Sequence, residues 1–165
     1  MRTIRLLGLS FFIAFLTGCS ATNTRDYVEP SSVAYEIEED TDISDPTAIQ
    51  EGIAVIKRNL EYAQNENIEQ YITTIVNSAQ VSTKTELSEF FDLYDMEHTI
   101  LGIRILEQDA NEMLIQVEQQ SVAVHTAEEA EPYRDHVSLA NHTITKENEQ
   151  WKIAETVMTE TFFIE

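Results

Sequence analysis

The stretch "TILGIRILE", residues 99–107, puts Leu101, Ile103 and Ile105 on one face by strict alternation. A period of two over so long a run is the mark of a strand with one side buried. "EMLIQVEQQSVAVH" (112–125) alternates Met113, Ile115 and Val117, then moves its apolar face to Val122 and Val124. That change of face predicts a bulge or strong bend near Gln119 and Gln120. "YRDHVSLANHTIT" (133–145) and "WKIAETVMTETFFI" (151–164) follow, separated by the polar turn "KENEQ". Long strands joined by short turns predict an antiparallel meander.

Upstream of His98 the period is 3.6. "SDPTAIQEGIAVIKRNLEYA" (44–63) opens with Asp45 at the N-cap and Pro46 at the first helical position, where the missing N–H costs nothing. Ile49, Ile53, Ile56, Leu60 and Ala63 then share one face. "NENIEQYITTIV" (65–76) restarts after Asn65, with Ile68, Tyr71, Ile72 and Ile75 as a second apolar face. Thr83 and Glu86 form a capping-box pair ahead of Leu87, Phe90, Phe91 and Tyr94, which predicts a third helix. Helices first and a bent antiparallel sheet second make an α+β fold, with three N-terminal helices packed in the sheet. Gly52 and Gly102 read as packing or bending positions within it.

The amino end has a different logic. Arg2 and Arg5 precede the apolar stretch Leu6 to Leu16 and the small residues Thr17 and Gly18, the three parts of an export signal. Eleven apolar residues are too few for a membrane span, which needs about 20. Leu16-Thr17-Gly18-Cys19 resembles the lipobox of bacterial lipoproteins, in which the cysteine sulfur carries diacylglycerol and the leader is cut off before it. Cys19 is the only cysteine, so the resemblance implies one lipid anchor, and no intrachain disulfide forms. Two or more acyl chains anchor a protein stably where one does not. Ser20 is similar to the residue that sorts such proteins to the periplasmic face of the outer membrane in double-membraned cells. In a single-membraned cell the chain would stay on the outer face of the cell membrane.

The expected organisation is a signal peptide over 1–18, lipidated Cys19 with an acidic flexible tether over 19–45, and one domain over 46–165. Residues 20–45 hold eight acidic residues against Arg25 alone, interleaved with Ser, Thr and Pro. A flexible coil of that length spans about 28 Å. Within it Val33, Tyr35 and Ile37 alternate, the pattern of a short edge strand. The formal charge is −20, and a surface so acidic repels nucleic acid and anionic headgroups. The acidity reads as solubility; a cation store or a docking face for a basic partner is the alternative, and no acidic loop has calcium-site spacing.

The order of three helices and long bent strands, with a last strand opening at Trp151-Lys152-Ile153, resembles the nuclear transport factor 2-like (SnoaL-like) superfamily. "YITTI" in the second helix, Tyr133-Arg134-Asp135 before a strand and His142-Thr143-Ile144 inside it are similar to small secreted bacterial members, over about residues 46–163. The resemblance implies a cone-shaped, cystatin-like α+β roll whose curved sheet wraps the helices and encloses a pocket, and a homodimer through the sheet. The superfamily includes isomerases, dehydratases, cyclases and non-catalytic modules, so the fold alone does not select a function.

Few residues are candidates for chemistry. Arg134, His136, Ser138, Ala140, His142 and Ile144 share a face by alternation. His142 is the single candidate for a general base, and Glu118, Glu155 and Glu160 on neighbouring strands are the carboxylates available to orient it. Tyr71, Phe91, Tyr94, Arg134, His136 and His142 are the candidate ligand-binding residues, while Trp151 reads as packing. The histidines at 98, 125, 136 and 142 lack metal-ligand spacing, there is no Gly-rich phosphate loop, and a nucleophile elbow is missing. No cofactor and no metal are expected. Two function classes follow. The first is a lipid-anchored envelope module that binds a small apolar ligand or another envelope protein. The second is an isomerase, dehydratase or cyclase using acid–base chemistry in the cone.

Overall fold

The computed structural model describes residues 24–30, 34, 37–39 and 43–164. The expected leader over 1–18, the lipidated Cys19 and the strand residues Val33 and Tyr35 lie outside the described residues. Two short strands come first, β1 (Thr24–Arg25) and β2 (Ile37–Glu39). Three helices follow, α1 (Pro46–Gln64), α2 (Ile68–Tyr71) and α3 (Gln80–Phe91). The chain ends in four long strands, β3 (Tyr94–Gln108), β4 (Glu112–Thr126), β5 (His136–Glu147) and β6 (Gln150–Ile164). The fold is α+β, a strongly curled six-stranded sheet with order β1-β6-β5-β4-β3-β2 wrapped around the helices.

Helix α1 starts where its sequence dictates. Asp45 Oδ1 accepts from the Thr47 and Ala48 amides at 3.0 Å each, and Pro46 takes the first turn. Ile49, Ile53 and Ile56 are buried against Ile103, Ile105, Ile115 and Ile144 of the sheet, each contributing about 1.5–3 kcal/mol of transfer free energy. Gly52 sets the approach of helix to sheet. A Cβ there would run into Met113 Sδ, so a larger residue would force the buried Met113 side chain to move.

The other two helices differ from the sequence reading. Regular α2 lasts four residues, a 3-10 turn covers Ile72–Thr74, and Ile75 is already extended, bridging in parallel to Ile153 of β6. The β-branched run Ile72-Thr73-Thr74-Ile75 favours leaving the helix. Helix α3 begins at Gln80 after a 3-10 lead-in over Asn77–Ala79, so Thr83 and Glu86 lie inside it and not at its cap.

The irregularity expected near Gln119 is present, but its extra residue is Leu101 of β3, between Ile100 opposite Gln119 and Gly102 opposite Glu118. The β4–β5 ladder runs unbroken from Glu112 to Ser121, without a bulge at Gln119 or Gln120. The irregularities of the β3–β4 ladder fall between Asp95 and Met96, between Ile100 and Gly102 and between Ile105 and Glu107. Gln119 and Ser121 therefore continue the inner face set by Met113, Ile115 and Val117, and Val122 points to the outer face. Along β4 and β5 the inner face turns polar without a slip, while β3 changes phase at Leu101.

The acidic segment departs from a free tether. Thr24–Arg25 pair in parallel with Phe163–Ile164 at one sheet edge, and Ile37–Glu39 pair in parallel with Ile103–Ile105 at the other. Between them the Val28 amide donates to Gln120 Oε1, and Gln120 Nε2 donates to the Val28 carbonyl, both at 2.8 Å. Arg25 pairs with Glu118, and Arg104 Nη2 reaches Glu38 Oε2 at 2.6 Å. The described part of the segment thus occupies both edges and, through Val28, the outer face. Edge strands leave unpaired amides and carbonyls, and this segment supplies partners for them. The sheet accordingly includes residues N-terminal to the boundary expected at 46.

Candidate functional site

Paired residues of an antiparallel ladder share a face, so the concave surface can be read strand by strand. At one end it carries Ile103, Ile105, Met113, Ile115, Ile144 and Ile153 beneath α1. At the other it carries His98 on β3, Gln119 and Ser121 on β4, and His136 and Ser138 on β5. His98 Nδ1 lies 3.0 Å from Ser121 Oγ, and Gln119 Nε2 donates to the same hydroxyl at 3.3 Å. The backbone amide of His98 donates to Gln64 Oε1 of α1. Burial, and then the neighbouring His136, holds the His98 imidazole down at a pKa of about 4. A cleft of about 390 Å³ opens beside it, lined by Pro30, Leu60, Glu61, Gln64, His98 and Ile100 among others.

An aromatic cluster closes this end of the sheet. Tyr94 lies 5.2 Å from Phe90 and 5.5 Å from Tyr133, and Tyr133 lies 5.8 Å from His136, centroid to centroid. Tyr94 donates its hydroxyl to the Glu131 carbonyl. The Tyr133 hydroxyl is pushed up to about 12 by burial, then by Asp135 and Tyr94. Phe91 makes an edge contact with Phe90 at 6.0 Å.

Tyr133-Arg134-Asp135 is a structural corner. Asp135 accepts from the Ala123 amide through its side chain and from the Ile164 amide through its carbonyl. Arg134 precedes β5 but stays on the face of His136, because Phe163, on which it stacks, pairs with His136. Its guanidinium lies 3.4 Å above the centre of the Phe163 ring.

His142 is deeper and separate. Only 4% exposed, it has Nδ1 2.9 Å from Thr156 Oγ1, and its Nε2 is buried without a partner. Burial holds its pKa down at about 4, so the ring is neutral at pH 7. The three carboxylates considered for orienting it all face outward. Glu118 pairs with Arg25, Glu155 stands opposite Thr143, and Glu160 stands opposite Leu139. Ser138 Oγ is likewise buried without a partner, but it lies four residues along β5, about 13 Å away. Tyr71 packs at the margin of the core beside α1, its hydroxyl raised by burial and offset by Asn59.

Of the residues singled out in the sequence, Phe91, Tyr94, Arg134 and His136 come to the polar end, whereas Tyr71 and His142 do not. His98, Gln119, Ser121 and Tyr133 were missed. Their signal was the run of inward polar positions after Val117, in register with His136 and Ser138. Among the described residues no group of three or more His, Cys, Asp or Glu is placed to hold a metal ion, and no helix is long and apolar enough to cross a membrane.

Residues 54–164 match the family of the C-terminal domain of anti-sigma-I factor RsgI9. No curated protein matches the sequence. Among solved structures the chain is similar to a Nostoc punctiforme protein of unknown function with a cystatin-like fold, at 12% identity and a TM-score of 0.57, over 69% of this chain and 91% of that one. It is also similar to a ketosteroid isomerase-like protein from Erwinia carotovora atroseptica, at 12% identity and a TM-score of 0.57, over 73% and 99% of the two chains. A third is an NTF-2 like protein of unknown function from Shewanella oneidensis, at 8% identity and a TM-score of 0.53, over 69% and 100%. At these identities the likeness is one of fold.

Proposed function

Since this chain belongs to the family of the anti-sigma-I factor RsgI9 C-terminal domain, we propose that its folded part is a ligand-reading module held on the bacterial cell envelope by a lipidated Cys19. The match is to a C-terminal domain, and sigma-factor binding is not part of the proposal. The ligand is small and largely apolar with one hydrogen-bonding group, and it enters the cleft beside His98. Leu60 and Ile100 there supply apolar wall, and Gln64 and His98 supply polar atoms.

The observation that carries the reading is the setting of His142. A general base needs a group that orients it and room for the proton donor. His142 instead meets a threonine hydroxyl, with Glu118, Glu155 and Glu160 on the opposite face of the sheet. A thermal-shift screen of small apolar acids and ketones against native protein and His98→Gln tests it. Hits that raise the native unfolding temperature and not that of the variant support the proposal. Turnover of any hit by native protein, lost in His142→Gln, refutes it in favour of an acid–base isomerase, dehydratase or cyclase. One observation favours that second reading, the unpartnered Nε2 of His142.

The anchor has its own test. Cys19→Ser abolishes labelling by a fatty-acid analogue if the sulfur carries the lipid, and persistent label on the variant refutes anchoring. With Thr24 already paired to β6, only four residues separate Cys19 from the sheet. That length reaches at most about 17 Å, so an anchored domain presents its β6 edge to the bilayer. A homodimer through the outer sheet face competes with Val28 for Gln120.

A further inference from the structure

We propose that the cleft between α1 and the β5–β6 turn is a second binding site, for a zwitterionic small molecule of the amino-acid or dipeptide class. It is independent of the His98 cleft. Its volume is about 520 Å³, and Glu51, Arg58, Thr74, Glu149, Trp151 and Lys152 are among the residues that line it. Small-molecule sites have about 300–1,000 Å³.

Two donors in this cleft have unused capacity, and a third lies buried in the side chain that forms part of its wall. Arg58 has no ion pair or hydrogen bond among the described residues. Lys152 donates one proton to the Thr73 carbonyl, and an ammonium carries three. Trp151 is only 6% exposed, and its indole Nε1 is buried without a partner. An orphaned buried donor is costly, and an acceptor brought by a ligand would relieve it. Two of the ten Lys and Arg residues of a chain with net charge −20 thus meet in one cleft.

The carboxylates decide the ligand class. Glu51 and Glu149 line the same cleft, so a simple anion faces two like charges and a simple cation faces Arg58 and Lys152. A molecule carrying both charges suits both sets. Glu149 also stands where a side chain is disfavoured. Asn148 and Glu149 make the two-residue turn between Glu147 and Gln150, with φ of 51° and 62°. Such turns favour glycine at the second position, and a glutamate kept there places a carboxylate at the cleft at a steric cost.

Trp151 is the only tryptophan, so its emission reports on its own N–H. The full chain is titrated with L-alanine, L-glutamate and L-alanyl-L-alanine, and with acetate and ethylammonium as single-charge controls, read by emission and by calorimetry. At least one zwitterion is expected to give a saturable response that neither control gives. Arg58→Gln and Glu51→Gln, both exposed positions on α1, should each weaken it about 10- to 100-fold, the worth of one charge-assisted hydrogen bond. Glu149→Gly should unfold at a higher temperature and bind the zwitterion less well. The proposal is overturned if no zwitterion gives a saturable response up to about 10 mM, or if acetate matches them and Glu51→Gln changes nothing.

Discussion

The two ends of the concave sheet face share strands and curvature, yet they are built from opposite chemistry. Under α1 the inward positions of β3, β4 and β5 are Ile103, Ile105, Met113, Ile115 and Ile144, all at most 3% exposed. Toward the other end β4 and β5 continue their alternation to Gln119, Ser121, His136 and Ser138, and β3, shifted in phase at Leu101, adds His98. The first end holds the fold together by apolar burial. The second gives up that stabilisation for polar atoms, one of which, Ser138 Oγ, stays unpartnered. A curved sheet thus divides apolar and polar burial along the length of its strands.

The largest expected effect lies at the apolar end. Ile115 is fully buried, meets α1 near Gly52, and sits opposite Ile105 and His142 on the adjoining strands. Ile115→Ala should cost about 2–5 kcal/mol, the transfer term plus an unfilled cavity, measured by urea unfolding. A loss below about 1 kcal/mol would mean that this end is not the stabilising one.

How far the sequence carried the reading follows the same division. The strands and α1 were legible because apolar residues recur at period 2 or 3.6, and Asp45-Pro46 marks the helix start. The polar end was half legible. His136 was found by alternation within its own strand, but His98 and Ser121 meet only through the β3–β4 register, which depends on the irregularities in that ladder. The placement of Thr24–Arg25 left no signal, since two residues pair by backbone alone. Ile37 belonged to a visible alternation, and the parallel partner it takes on β3 is a property of the whole sheet.

The next effect depends on pH. His98 and His142 are held at about 4 in the fold, against 6.5 for a free histidine. A histidine whose folded pKa is depressed contributes its full stability above 6.5 and loses it as pH falls from 6.5 toward 4, because the unfolded chain binds the proton first. At pH 5.5 the loss for buried His142 should be about 1 kcal/mol relative to pH 7.5. His142→Gln should flatten that part of the profile, in urea unfolding at each pH. An unchanged slope would mean that the ring is solvated and that the sheet around His142 opens more readily than its burial implies.

The smallest effect is the sharpest test of the division. Ser138 is 1% exposed and its hydroxyl has no partner, so the folded state gains nothing from that oxygen and carries its desolvation. Removing a partnered buried hydroxyl costs about 1 kcal/mol, while removing an unpartnered one is neutral or stabilising. Ser138→Ala should therefore leave the urea midpoint unchanged or raise it slightly. The same substitution at a site that uses the hydroxyl for a ligand lowers affinity without lowering stability. A variant that is at least as stable as the native domain, but loses the thermal shift given by a ligand of the His98 cleft, would extend the recognition surface along β5 to Ser138. If stability falls instead, the hydroxyl has a partner in solution, such as a buried water, and the boundary between the two ends lies nearer to His136.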